Sequence, residues 1–170
     1  MKKPRRRQKG RSQGPRSSNS PKIPKSGRLH HVILTVNDLA RSKPFYAALM
    51  PRLGFPDAHA FGPFLGWSSS GGSFWLKQAD PRYAGEAFSK DRVGLCEIAF
   101  NAENRMQVDS LAGDIEGLGG SILDPPREYP EYVKGYYAVF FADPDGIKLE
   151  LRCGPVSRSV KRKSWRRPPM

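Results

Sequence analysis

The chain has 170 residues, 29 of them lysine or arginine and 16 aspartate or glutamate, which gives a formal net charge of +13. This length favours one domain that buries a sizeable core. No apolar stretch approaches the roughly 20 residues of a membrane-spanning helix, and no apolar segment of a secretory signal follows the basic start. Cys96 and Cys153 are too few for a disulfide framework. We therefore expect a reduced, cytoplasmic protein that does not enter a membrane.

The positive charge is concentrated at the two ends. Residues 1–28 contain 11 basic residues and residues 154–170 contain 6, with no acidic residue in either segment. Between them, 12 basic residues face 16 acidic ones, so residues 29–153 carry a net charge of −4. Both ends lack apolar periodicity and are predicted to be disordered tails. Two interpretations remain open for them, namely arms that bind nucleic acid through its phosphates or solvated extensions.

The first folded element is a strand in LHHVILTV (residues 29–36). Its apolar residues alternate with a second face that carries His31, the pattern of a half-buried strand. Asn37 and Asp38 are helix-start residues, and the helix that they open should end near Pro51 and Gly54. Strands in AHAFGPFLGWSS and SFWLKQ follow, so residues 29–79 form one β-α-β-β-β module.

Residues 80–92 are predicted to be a connector, after which the same pattern recurs in residues 93–153. GLCEIAFN is a strand, with Cys96 on the side packed by helices, and residues 103–118 form a helix. Strands follow in SILDPP, YYAVFFAD and IKLELRC, the last two joined by a DPDG turn. The side chains expected to face inward from the helix are those of Met106, Val108, Leu111, Ile115 and Leu118. The predicted fold class is α+β, with a divergent internal duplication.

The last predicted strand has two different faces. Lys148, Glu150 and Arg152 alternate with apolar residues along IKLELRC. The sheet should therefore have an apolar face that packs against helices and a polar face that is available for another role.

Two segments at opposite ends of residues 29–153 resemble the vicinal-oxygen-chelate superfamily of glyoxalases such as lactoylglutathione lyase, bleomycin-resistance proteins and extradiol dioxygenases. HVILTVNDLARSKPFYAALMPRLGF resembles the opening of these proteins, and GYYAVFFADPDGIKLEL resembles their closing hairpin. The resemblance implies two modules whose mixed sheet curls into a concave cup with helices outside. It also implies a divalent metal in the cup of many members, although bleomycin-binding members lack one.

Matched position by position, the resemblance assigns a set of metal ligands. His31 matches the first-strand ligand and Glu150 the last-strand ligand. Glu97 occupies the second-module position that usually holds a histidine, and this is a departure from the family pattern. The position of a fourth ligand is filled by Leu76, or by Gln78 on the same face, which is a second departure.

One imidazole and two carboxylates would favour Mn²⁺, Fe²⁺ or Mg²⁺ over Zn²⁺, with Ni²⁺ a further candidate. The metal would act as a Lewis acid, while Glu150 or Glu97 carries a proton. The alternative interpretation makes His31 a surface residue and Glu150 a solvated ion-pairing residue. If Glu97 and Glu150 meet without a metal, they repel, so a cation such as Arg152 or Arg92 must lie between them.

Aromatic residues are expected to line the substrate cavity. Trp67 and Trp75 form a candidate wall, one of Tyr136 and Tyr137 should face the cup, and the loop REYPEYVKG should form its rim. We carry two functional hypotheses. The first is a metal-dependent lyase-like enzyme, or a dioxygenase or thiol transferase, acting on a small oxygen-bearing substrate. The second is a metal-free protein that sequesters a small aromatic or cationic molecule. A homodimer is expected in either case.

Overall fold

Two four-stranded sheets and two α-helices build residues 29–155, the part of the chain that this computed structural model describes. The first module contains β1 (His31–Val36), α1 (Leu39–Arg52), β2 (Asp57–Phe61), β3 (Phe64–Ser69) and β4 (Gly72–Gln78). The second contains β5 (Ile98–Asn101), α2 (Arg105–Asp114), β6 (Ser121–Glu128), β7 (Tyr137–Ala142) and β8 (Lys148–Cys153). A single 3₁₀ turn, Pro81–Tyr83, lies in the connector.

The two modules share one topology. The strand orders are β1-β4-β3-β2 and β5-β8-β7-β6, and in each sheet the first strand runs parallel to the last while the other pairs are antiparallel. Each module is therefore a β-α-β-β-β unit. This confirms the predicted α+β class and the internal duplication.

One continuous apolar core lies between the helices and one face of each sheet. Fully buried side chains of α1 and α2, including Phe45, Leu49 and Val108, pack against the inward residues of the strands, such as Leu149. Asp38 caps α1, because its side chain accepts hydrogen bonds from the amides of the first turn. We call the sheet face that packs on the helices the helix face and the opposite one the open face.

The open faces of the two sheets differ. That of the first module exposes apolar side chains, with Ile33 46% and Phe61 74% exposed. That of the second module is covered by the loop 129–136, where Tyr129 packs with Ala138 and Phe140 in a second, smaller cluster. A ligand therefore has direct access to the first module, whereas the second module's face is filled by the chain itself.

The start of the first helix is tied to the β7–β8 turn. The Asn37 amide donates to Asp145 Oδ2 at 2.7 Å, and Arg41 forms an ion pair with the same carboxylate. The Tyr46 hydroxyl donates to Asp143 Oδ2 at 2.8 Å. Because α1 belongs to the first module and the turn to the second, these contacts join the two halves.

Several local predictions were wrong. The helix predicted for residues 103–118 is Arg105–Asp114 followed by turns, and Met106 is 76% exposed. Strand β5 begins only at Ile98, so Cys96 lies before the strand and is exposed, whereas Cys153 is buried. The short helix fits the glycines at the end of the segment, which disfavour helix continuation.

The predicted tails, residues 1–28 and 154–170, lie outside the described residues except for Gly154 and Pro155. The carbonyl oxygens of these two residues accept hydrogen bonds from Arg152 at 3.1 and 2.9 Å. None of the helices between residues 29 and 155 is long and apolar enough to cross a membrane.

Candidate functional site

Glu150 lies on the open face of β8 and is only 3% exposed. The Tyr136 hydroxyl donates a hydrogen bond to its Oε1 at 2.5 Å. Burial raises the pKa of the Glu150 carboxyl, and the negative charge of Glu97 raises it further, while the Tyr136 hydrogen bond and the charges of Arg152 and Lys148 act in the opposite direction. The interpretation of Glu150 as a solvated surface residue is therefore wrong.

Lys148 supplies the positive charge beside the two carboxylates. Its Nζ lies 2.6 Å from Glu97 Oε2, and both side chains are partly buried. The same ammonium group lies 4.4 Å from the centre of the Phe140 ring, and Phe140 is the cross-strand partner of Glu150. The charge of Glu97 is near enough to raise the pKa of Glu150, and the cation paired with Glu97 is Lys148 of β8 rather than Arg152 or Arg92.

Arg152 completes the polar side of this cluster. It is 8% exposed, its guanidinium carbon lies 4.4 Å from the centre of the Tyr136 ring, and its Nη1 donates to Asn101 Oδ1 at 3.0 Å. Arg92, the other cation considered from the sequence, is exposed in the connector. Arg152 is therefore engaged by Asn101 and by the carbonyl oxygens of Gly154 and Pro155, and Lys148 is the residue that pairs with Glu97.

His31 does not join this cluster. It is exposed on β1, and its Nδ1 lies 2.9 Å from Nδ1 of His30. Its side chain borders a cleft of about 300 Å³ on the open face of the first module. The cleft is lined by His30, His31, Ile33, Phe61, Phe64, Ser73 and Trp75.

The geometry of β3 and β4 fixes the Trp75 indole in this cleft. Gly66 is the cross-strand partner of Trp75, and a Cβ added to Gly66 would overlap the indole ring. The indole Nε1 donates to Ser73 Oγ at 2.8 Å, and the His59 ring stacks on the indole with centroids 6.2 Å apart. The ring is therefore held flat against the sheet before any ligand arrives.

The two positions considered for a fourth metal ligand face the wrong way. Leu76 is fully buried in the core on the helix face. Gln78 Oε1 accepts a hydrogen bond from the Leu39 amide at 2.8 Å, which ties it to the start of α1. On β4, the residues of the open face are instead Ser73, Trp75 and Lys77, because strand side chains alternate.

The described residues contain no group of three or more His, Cys, Asp or Glu side chains placed to hold a metal ion. His31, Glu97 and Glu150 are therefore not assembled into the predicted ligand set. Glu97 is also neutralised by an ammonium group, and Glu150 accepts a phenolic hydrogen bond. This donor set does not fit a divalent metal, which needs several free oxygen or nitrogen donors around one point.

The predicted lining residues divide between the two faces. Trp75 and Tyr136 lie on the open faces, the first in the cleft and the second beside Glu150. Trp67 is 2% exposed and packs near Tyr46 on the helix face, so its assignment to the cavity was wrong. The Tyr137 hydroxyl donates to Asp109 of α2 at 2.6 Å, which places it on the helix face too.

Sequence reasoning missed most of the cleft residues and the lysine beside Glu97. Phe61 and Phe64, on either side of the β2–β3 turn, form much of the cleft, and Lys148 pairs with Glu97. Alternation already placed Lys148 on the same face as Glu150, so that signal was available. No comparable signal in the sequence distinguished Phe61 and Phe64 from core residues.

Comparison with known proteins agrees with this architecture. The model of the Glyoxalase/Bleomycin resistance protein/Dioxygenase superfamily matches residues 28–151. The protein YqjT of Bacillus subtilis (strain 168) is 32% identical over 123 residues, which cover 72% of this chain and 96% of that protein.

Solved structures give the same result. A crystal structure of a candidate glyoxalase from Bacillus halodurans has a TM-score of 0.65 and 29% identity, covering 76% of this chain and 97% of that one. A glyoxalase/bleomycin resistance protein from Albidiferax ferrireducens has a TM-score of 0.64 and 26% identity, covering 74% and 98%. The chain belongs to the glyoxalase/bleomycin resistance protein/dioxygenase superfamily, whose domain occupies nearly all of the residues that the structure describes.

Proposed function

We propose that this domain binds a small planar organic molecule in the cleft of the first module, without a metal ion. The observation that carries the proposal is the cleft itself, about 300 Å³ in volume and walled largely by aromatic and aliphatic side chains, with Trp75 at its base. Clefts of this size and composition are typical of small-molecule sites.

The wall is suited to a flat ligand. The indole of Trp75 is fixed by Gly66 and Ser73, so a planar ring that stacks on it does not have to order it first. Aromatic pairs of this kind contribute about 0.5–1.5 kcal/mol beyond the area that they bury. The exposed Phe61 supplies a further ring at the edge of the cleft.

The polar rim sets the chemical character of the ligand. His30 and His31 border the cleft at one side, and their ring nitrogens donate or accept hydrogen bonds according to tautomer. A ligand with a planar apolar body and one oxygen-bearing polar end would match both parts. Binding and sequestration need no further catalytic group, which is why we favour a binding protein over a metal-dependent lyase, dioxygenase or thiol transferase.

Thermal shift measurements in EDTA test this proposal. We expect a panel of planar aromatic compounds, with anilinonaphthalene sulfonate as the reference probe, to raise the Tm of the wild-type protein because they bind the folded state. Trp75→Ala should abolish the shift, whereas Tyr83→Ala, which removes an exposed aromatic ring outside this cleft, should retain it. In a parallel series without EDTA, stabilisation by Mn²⁺, Ni²⁺ or Zn²⁺, together with no stabilisation by any of the organic compounds, would refute the proposal.

We also propose a reduced, cytoplasmic setting for the protein. Both cysteines are free, and the buried Cys153 has no partner thiol beside it in the described residues. A folded state that is unchanged by reducing agent, measured by its Tm, is the expected result.

A further inference from the structure

The open face of the second module carries two carboxylates close to the β5–β8 strand pair. Glu97 immediately precedes β5, and Glu150 lies on β8, the strand that pairs with β5. Glu150 is 3% exposed, so its charge is poorly solvated. Two such groups repel each other and need a positive charge between them.

Lys148 provides that charge from within the sheet. Its ammonium group lies 2.6 Å from Glu97 and 4.4 Å from the Phe140 ring centre, on the side of the strand pair where Glu150 lies. The lysine stem is only partly exposed, so the group does not sample solvent freely. An ammonium at this position excludes a divalent cation by both volume and charge.

We infer that Lys148 is a built-in cation that holds the Glu97 and Glu150 carboxylates together in the place where a chelated metal would otherwise be required. The residue thereby makes the second module independent of metal. The inference concerns this carboxylate pair alone and stands apart from what binds in the cleft of the first module.

Removing the cation should leave the carboxylates uncompensated. We expect Lys148→Met to lower the Tm by roughly 3–6 °C relative to Lys43→Met, an exposed lysine on α1 that serves as matched control. Adding Glu97→Gln to Lys148→Met should restore most of the loss, because one of the two negative charges is then gone. This double variant also keeps the test valid if the single variant does not fold.

Metal titration supplies the second readout. In millimolar MnCl₂ the wild-type Tm should stay constant, whereas the Tm of Lys148→Met should rise as the metal replaces the lost ammonium group. The inference is overturned if the Tm of Lys148→Met equals that of Lys43→Met and does not change when Mn²⁺ is added. It is equally overturned if the wild-type protein binds one Mn²⁺ per chain and Glu97→Gln abolishes that binding.

Discussion

Glu150 is a buried carboxylate whose burial cannot be read from the residues next to it in the sequence. The alternation of IKLELRC places Glu150 beside Lys148 and Arg152 on a polar face, and the structure agrees. The loop 129–136 then covers that face and buries the carboxylate. The residue type and face follow from the sequence, but the burial depends on a loop whose path has no periodic signal.

Replacement of Glu150 by glutamine should change the pH dependence of stability. The pKa of Glu150 is raised in the folded state, so between its ordinary value near 4.5 and the folded value the folded protein binds more protons than the unfolded chain. The free energy of unfolding therefore falls as pH rises through this window. Glu150→Gln keeps an oxygen that accepts the Tyr136 hydrogen bond but cannot ionise, so the fall should be smaller.

Urea unfolding across a pH series measures this effect. Glu116→Gln is the control, because Glu116 is exposed and lies outside the cluster of Glu97, Lys148 and Glu150. This variant should retain the wild-type dependence of stability on pH. A slope in Glu150→Gln equal to that of the control would show that the burial of Glu150 has no energetic consequence.

The hairpin β3–β4 is the element that builds the cleft. Its register pairs Gly66 with Trp75 and Trp67 with Phe74, so the two tryptophans point to opposite faces. The sequence predicts both strands, and strict alternation from a correct register would have separated the two tryptophans. The prediction that both tryptophans line one wall of the cavity was wrong because it used their residue type and not the pairing register of the two strands.

A methyl group at Gly66 should disable the cleft without unfolding the domain. The added Cβ of Gly66→Ala overlaps the Trp75 indole, which must tilt away from the sheet and lose its hydrogen bond to Ser73. We expect affinity for anilinonaphthalene sulfonate to fall at least about tenfold, equivalent to 1.4 kcal/mol, in a fluorescence titration. Gly113→Ala on α2, where a Cβ meets nothing, is the matched control. Unchanged affinity in Gly66→Ala would place the ligand elsewhere.

At the scale of the whole molecule, contacts between the start of α1 and the β7–β8 turn join the two modules. The sequence predicts both segments, since Asp38 signals the helix and DPDG signals the turn. It does not predict that Asp145 of the turn accepts the Asn37 amide, because that bond joins residues 108 positions apart. Long-range pairs of this kind follow from tertiary packing and have no local pattern.

Loss of the Asp145 carboxylate should weaken the link between modules. Its side chain is 3% exposed, so Asp145→Ala leaves the Asn37 amide without its partner and frees Arg41. We expect a cost of about 1.5–3 kcal/mol in the free energy of unfolding. Asp91→Ala, which breaks the pair with Lys90, should cost far less, because both side chains of that pair are exposed. Equal costs for the two variants would contradict the role of Asp145.

The basic ends remain the largest feature that the fold does not explain. Their 17 basic residues contrast with the net charge of −4 in residues 29–153. Association of these segments with a polyanion such as nucleic acid stays one of two interpretations, and it rests on charge alone. The homodimer stays a prediction from the family resemblance.

Binding of a planar ligand to the first module without metal is most directly measured by heteronuclear NMR of EDTA-treated protein titrated with anilinonaphthalene sulfonate. We expect saturable shifts of the Trp75 indole N–H and of the His31 and Ile33 amide signals, while the Lys148 and Glu150 amide signals do not shift. The opposite result would be cleft signals that do not respond to the probe and Lys148 and Glu150 signals that shift when one equivalent of Zn²⁺ per chain is added after removal of the EDTA.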